Sequence, residues 1–184
     1  MSSSGRFELI IGGMFSGKST ELIRRLNRYN AINKKILIIN SSKDTRCSKS
    51  VLQTHDKLSI QCIKTDCLLK ILMQQQFVDS DIIAIDEGQF FSHLRDFVEG
   101  ALLSNKHIIV AGLDGDYKQQ IFGEIVHLIP LADEVIKLTA FCMECNNGTL
   151  GPFSKRIVNN SEQELVGEAD MYRAVCRTHL YSFL

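Results

Sequence analysis

At 184 residues, 45% of them apolar and 23% charged, the chain is long enough for one well-buried core and has an ordinary globular composition. Its 21 Lys and Arg balance 21 Asp and Glu, which excludes a broad basic field drawing in nucleic acid as the main partner. No apolar run approaches the ~18–20 residues of a membrane span, and Met1 to Arg6 contains no apolar stretch of signal-peptide length. The expected location is cytoplasmic, where six cysteines act as reduced thiols or metal ligands rather than disulfides.

Taken in chain order, Phe7–Ile11 reads as a strand and Ser19–Asn30 as a helix. A second strand is expected at Lys35–Ile39, a loop at Ser41–Thr54 and a helix at Cys67–Gln76. Asp81–Asp86 reads as the third strand, His93–Ser104 as a helix, His107–Gly112 as the fourth strand and Glu134–Leu138 as the last. Unbroken apolar, β-branched runs suit strands covered on both faces of a parallel sheet, and their alternation with helices implies a right-handed α/β fold. After about Ala140 short apolar pairs, an Asn-Asn-Gly turn signal and paired metal-type ligands replace the long strands, with a loop expected at Asn146–Asn160. The expected division is therefore an α/β domain over residues 1–140 and a small metal-stapled domain over 141–184.

Gly12-Gly13-Met14-Phe15-Ser16-Gly17-Lys18-Ser19 fits G-x-x-x-x-G-K-[ST] at every fixed position, between an expected strand and an expected helix. Glycines let the backbone wrap closely, so that its N–H groups face phosphate oxygens. Lys18 reaches the β and γ phosphates and the Ser19 hydroxyl can ligate Mg²⁺, while the helix adds its N-terminal dipole. Gly12 to Thr20 is thus the candidate ATP-binding segment.

Asp86 and Glu87 close an apolar strand, where an acidic residue holds Mg²⁺ directly or through water. Adjacent strand residues point in opposite directions, which leaves Asp86 for the metal and Glu87 for a substrate hydroxyl as general base. Further on, Cys142-x-x-Cys145 and Cys176-x-x-His179 form two pairs 30 residues apart. Four such donors close a tetrahedron around Zn²⁺ and leave no open position, so this zinc is read as structural. Cys47, Cys62 and Cys67 lack such spacing. Arg24, Arg25 and Arg28 read as a solvated helix face or a subunit contact.

These motifs, with Lys43-Asp44-Thr45-Arg46, Thr54-His55-Asp56, Ile85–Phe91, Leu113-Asp114-Gly115, Val135–Ala140 and Ala169–Tyr172, extend over nearly the whole chain. Together they resemble the thymidine kinases of the cytosolic and viral type. The resemblance implies a RecA-like P-loop parallel sheet flanked by helices with a small zinc domain, and transfer of the γ-phosphate of ATP to the 5′-hydroxyl of thymidine to give dTMP in nucleotide salvage. It implies that Glu87 is the catalytic base, Lys18 the phosphate clamp, Ser19 and Asp86 the magnesium side, and Arg46 a cation near the reacting phosphates. Met14, Phe90, Leu113, Tyr117 and Phe122 are implied as the thymidine wall. A lid between Cys145 and Leu165 is implied to cover the base, with Ser154 near it, Tyr172 beneath it and Gly167 also on the substrate side. A homotetramer, and inhibition by the product triphosphate, are implied as well.

The chain departs from that pattern in places. Gly13 stands where proline is usual, His179 replaces a fourth cysteine, Asn146–Pro152 is longer, Glu168 replaces glycine and Asp116 replaces a small hydroxyl residue. Three other readings compete: a kinase for a different nucleoside, a P-loop NTPase acting as a switch or motor, and a zinc-ribbon nucleic-acid binder. A guanine-type [NT]-K-x-D motif is absent from the sequence, and Glu144, Glu162, Glu164, Glu168 and Asp170 dilute any basic face after Ala140.

Overall fold

The computed structural model describes residues 5–44, 51–53, 59–165 and 170–182. Strands are β1 (Arg6–Gly12), β2 (Ile36–Ser41), β3 (Val51–Gln53), β4 (Ser59–Gln61), β5 (Ile63–Thr65), β6 (Ile82–Ile85), β7 (His107–Gly112), β8 (Glu134–Leu138), β9 (Ala140–Phe141), β10 (Leu150–Gly151), β11 (Phe153–Arg156) and β12 (Tyr172–Val175). Helices are α1 (Lys18–Asn30), α2 (Gln75–Asp79), α3 (Leu94–Leu103) and α4 (Arg177–Tyr181). Six strands form one parallel sheet in the order β5-β2-β6-β7-β1-β8. Three antiparallel pairs stand beside it: β3 with β4, β9 with β10, and β11 with β12.

The strand sequences read as unbroken apolar runs because both faces are covered. Phe7, Leu9 and Ile11 of β1 join Ile83, Ile85, Ile108 and Val110 against Leu94, Phe97, Val98 and Ala101 of α3. On the opposite face, Ile10, Ile38, Ile82, Ala84, Ile109 and Ala111 pack with Leu22, Ile23 and Leu26 of α1. Side-chain alternation along a strand thus feeds two apolar layers rather than one.

Three expected elements differ. Cys67–Gln76 is a 3-10 turn over Leu68–Met73, followed by α2 after a break at Gln74, which is extended at φ −89° and ψ 146°. Its buried residues Leu68 and Ile71 are three apart and turn one side of this segment to the core. The expected loop at Asn146–Asn160 contains β10 and β11, whose partners lie on either side of it in sequence. In the Ser41–Thr54 stretch, Ser41 ends β2 and Val51–Gln53 forms β3.

Arg25 is a fourth correction: it is buried, not solvated, at 8% exposure. Its guanidinium donates to Glu8, to Glu21 Oε1 at 2.8 Å and to Glu134 Oε1 at 2.9 Å. The His107 ring nitrogen Nε2 lies 3.0 Å from the second Glu8 oxygen. Burial pushes the Glu8 carboxyl up, but the hydrogen bonds and charges of His107 and Arg25 outweigh it and hold its pKa at about 2. Because that folded-state pKa is depressed, the Glu8 contribution is fully present above the ordinary carboxylate range and is lost as pH falls through about 2. Arg25→Met is expected to leave Glu8 buried beside fewer cations and to destabilise the fold by about 3–5 kcal/mol in urea denaturation. A midpoint equal to wild type would mean that solvent already screens the group.

Candidate active site

In a parallel α/β sheet, ligand-facing residues collect where strands end and helices begin. Gly12 ends β1 at φ +147°, and a Cβ there would stand 2.2 Å from the Leu138 carbonyl oxygen of β8, so only glycine lets the chain turn out of the sheet. The loop returns to α1 through Gly17, left-handed at φ 84°, whose carbonyl receives the Glu21 N–H at 2.9 Å. Within the loop Ser16 Oγ and Lys18 Nζ both donate to the Gly13 carbonyl, at 2.8 and 2.7 Å. Lys18 is buried, Ser19 half-buried and Thr20 exposed in the first turn of α1. A glycine-bounded loop, a helix N-terminus and a lysine are thus brought together at the end of β1, the arrangement that suits an anion.

Asp86 follows β6 and is almost fully buried. Its N–H donates to Ile39 of β2 at 3.0 Å, and its Oδ2 accepts the Ser19 hydroxyl at 2.7 Å. A hydroxyl and a carboxylate oxygen in contact beside a phosphate cradle are hard oxygen donors of the kind that suits Mg²⁺. Glu87 faces elsewhere for a reason other than strand pleating: it has left the strand and is left-handed at φ 53° and ψ 41°. Gln89 Nε2 donates to Glu87 Oε2 at 2.5 Å, while Gln89 Oε1 accepts the Leu113 N–H at 2.9 Å. Sequence reasoning passed over Gln89; its place two residues beyond the acidic pair was the only signal.

The apolar candidates gather around the same strand ends. Phe90 and Phe122 meet edge to face with centroids 5.6 Å apart, and Leu113 follows β7. The Met14 N–H donates to Ser154 Oγ of β11 at 2.9 Å, which ties the phosphate loop to the antiparallel pair β11–β12. Arg156, also missed, is buried and stacks with its guanidinium carbon 3.8 Å from the Tyr117 ring centroid. It donates to the carbonyls of Asn160, Glu162 and Gln163 and to the Tyr172 hydroxyl, at 2.5–3.2 Å. Tyr117, Ser154 and Tyr172 are thus joined through one arginine and one strand. Arg46 and Gly167, with Glu168 and Thr54–Asp56, lie outside the described residues.

Cys142, Cys145, Cys176 and His179 form one cluster, with all ligand atoms within 4.8 Å of one another. Cys145 and Cys176 sulfurs are 3.8 Å apart, and His179 Nδ1 lies 3.3, 3.3 and 3.6 Å from Cys145, Cys176 and Cys142. A zinc tetrahedron with bonds of about 2.3 Å to sulfur and about 2.0–2.1 Å to nitrogen has edges of about 3.8 and about 3.5 Å. The four edges of 3.3–3.8 Å come close to that tetrahedron, and a modest closing of the 4.8 Å spread would let the cluster hold a zinc ion, with Nδ1 as the histidine donor. Burial raises the Cys142 thiol, but the backbone N–H groups of Cys145, Cys176 and Glu144 outweigh it and bring its pKa to about 6, near the thiolate form a metal takes.

Fold and site together define an α/β protein with a P-loop sequence at the end of β1 and a Cys₃His centre capable of holding zinc. The thymidine kinase family model matches residues 5–180, and the chain belongs to that family. It is 43% identical over 173 residues to the cytosolic thymidine kinase of Bos taurus, covering 94% of this chain and 71% of that one. It is 44% identical over 178 residues to thymidine kinase 1 of Dictyostelium discoideum, covering 95% and 77%. With the thymidine kinase of Raccoon poxvirus it shares 45% over 175 residues, covering 95% and 96%.

Gln89 is 3% exposed and both ends of its amide are used, so Gln89→Leu should strand the Leu113 N–H. The expected loss is about 1–3 kcal/mol in chemical denaturation, with an unchanged far-UV spectrum. Undiminished stability would show that water replaces the amide at no cost.

Proposed function

We propose that this protein is an ATP-dependent thymidine kinase that transfers the γ-phosphate of ATP to the 5′-hydroxyl of thymidine, giving ADP and dTMP for nucleotide salvage. The carrying observation is that the family match runs through the phosphate loop, the acidic pair, the Cys₃His cluster and the segment between them, rather than through the loop alone. Lys18 and the N–H groups of Gly12 to Thr20 hold the β and γ phosphates. Glu87, held by Gln89, takes the proton as the 5′ oxygen bonds to the γ-phosphorus and the bond to the β-phosphate oxygen breaks. Ser19 and Asp86 are the residues that would hold Mg²⁺, which when bound neutralises charge on the β and γ phosphates. Arg46 serves as the cation on the transferring group.

In this reading Met14, Phe90, Leu113, Tyr117 and Phe122 wall the thymidine, and the segment up to Leu165 covers it together with Ser154, Gly167 and Tyr172. Such a cover excludes water that would otherwise compete for the phosphoryl group. Zinc, when bound, supplies folding free energy to residues 141–184 as a unit distinct from 1–140. We further propose a cytoplasmic enzyme and a homotetramer, inhibited by the product triphosphate. Two facts support the location: relatives are named cytosolic, and among the described residues no helix is long and apolar enough to cross a membrane.

ADP release from Mg-ATP should rise with thymidine and stay low with deoxycytidine, deoxyadenosine, deoxyguanosine or no nucleoside. Stimulation by a different nucleoside would move the substrate and keep the kinase; release indifferent to all of them would leave an NTPase. Glu87→Gln should lower turnover by ~10²–10⁴ while ATP still binds, and near-normal turnover would remove Glu87 from the base role. Elemental analysis should find one zinc per chain, lost in Cys142→Ser; zinc retained in that variant would refute the staple.

A further inference from the structure

The segment from Ile157 to Leu165 is shaped from within and fastened from without. Arg156 shapes it, since its donors go to carbonyls of that segment and to Tyr172. Four contacts then fasten it to the segments that follow β2 and β7. Tyr117 Oη donates to the Ser161 carbonyl at 3.1 Å, Lys43 Nζ meets Glu164 Oε2 at 2.7 Å, and Gln163 Nε2 donates to Asp116 Oδ2 at 2.8 Å and to the Ile121 carbonyl at 3.2 Å.

These contacts are not equal. Both partners of the Lys43–Glu164 pair are about half exposed, where solvent and salt screen an ion pair heavily. The Tyr117 bond joins two neutral groups at an exposed position. Asp116 is 8% exposed and offers a carboxylate, whose hydrogen bonds are stronger than neutral ones. Its Oδ1 is already committed, accepting the Lys118 and Gln120 N–H groups at 2.8 and 2.9 Å, and its own N–H donates to the Gln120 carbonyl at 2.9 Å. The carboxylate cannot swing away from Gln163 without undoing the turn that carries Tyr117. A side chain with a single oxygen could not reach both the turn amides and the Gln163 amide in this geometry.

We propose that Asp116 is a positioning residue whose carboxylate latches Gln163, holding residues 157–165 closed over the bound nucleoside and so setting thymidine affinity. This deepens the thymidine kinase reading and rests on it for the identity of the ligand. The latch acts on retention of the nucleoside and not on the phosphoryl step: its hydrogen bonds tie residues 157–165 to the turn after β7, whereas Ser19–Asp86 and Glu87–Gln89 are bonded to each other at the ends of β1 and β6.

The test compares wild type, Gln163→Glu, Asp116→Asn and the double variant, by steady-state kinetics and by amide hydrogen exchange of residues 157–165. Gln163→Glu sets a carboxylate against Asp116; thymidine KM should rise about tenfold or more, with KM for ATP and kcat within about twofold. Amide exchange across 157–165 should accelerate in the same variant. Asp116→Asn keeps an oxygen for the turn and presents an amide to Glu at 163, so the double variant should regain KM and exchange to within about threefold of wild type. The proposal is overturned if Gln163→Glu leaves KM and exchange unchanged, if it lowers kcat as much as it raises KM, or if Asp116→Asn fails to rescue it. Wild type without thymidine-dependent ADP release would sink the nucleoside reading instead, and the exchange data alone would then decide the latch.

Discussion

A parallel sheet covered on both faces has nowhere to put chemistry except at its ends, and this constraint organises the molecule. Phe7, Leu9 and Ile11 are committed to the α3 side and Ile10 to the α1 side, so β1 offers no side chain for a ligand until it stops at Gly12. Gly12, Asp86 and Leu113 all stand where β1, β6 and β7 stop, three neighbours in the sheet, and parallel register brings those stops together. The 2.7 Å contact between Ser19 and Asp86 follows from that: the loop after β1 returns into α1 directly beside the end of β6.

Residues far along the chain are drawn into this end by a different device. The Cys₃His cluster joins the β9–β10 turn region to the start of α4, and between them β11 carries Ser154 onto the Met14 N–H. A segment this short has little apolar core of its own, since Phe141 and Leu150 face each other across β9–β10 largely exposed. Metal-type ligands, and Lys155 donating to the His179 and Ser182 carbonyls, do the work that a core does in the α/β sheet.

Buried charge shows a third balance. Arg25, Glu8, Glu134 and His107 sit at the opposite end of β1 from the phosphate loop, on the α1 face, and satisfy one another there. In sequence Arg24 and Arg25 are indistinguishable. Helical phase separates them: Arg24 pairs with Glu21 in solvent, while Arg25 points at the sheet, where only the coincidence of three carboxylates makes its burial tolerable.

Five of the six strands of the main sheet with α1 and α3 between them, the phosphate-loop motif, the acidic pair and the metal quartet were legible in the chain, because each is a local pattern: apolar runs, glycines at set offsets, carboxylates closing a strand, donors in x₂ pairs; the short strands β3 to β5 and β9 to β12 carry no such run. The family resemblance was legible for the same reason, as a series of such patterns spread from Met14 to Tyr172. What local pattern did not carry was left to tertiary structure. The left-handed turn that aims Glu87, the grip of Gln89 on it, the burial of Arg25, the 3-10 turn at Leu68–Met73 and the junction of Arg156, Tyr117 and Tyr172 all join residues through contacts distant in sequence or through backbone angles that residue identity does not encode. A single chain determines which groups are present and how neighbours are phased. Which buried polar groups meet, and hence how each is aimed, is decided only when packing brings distant partners within hydrogen-bond reach.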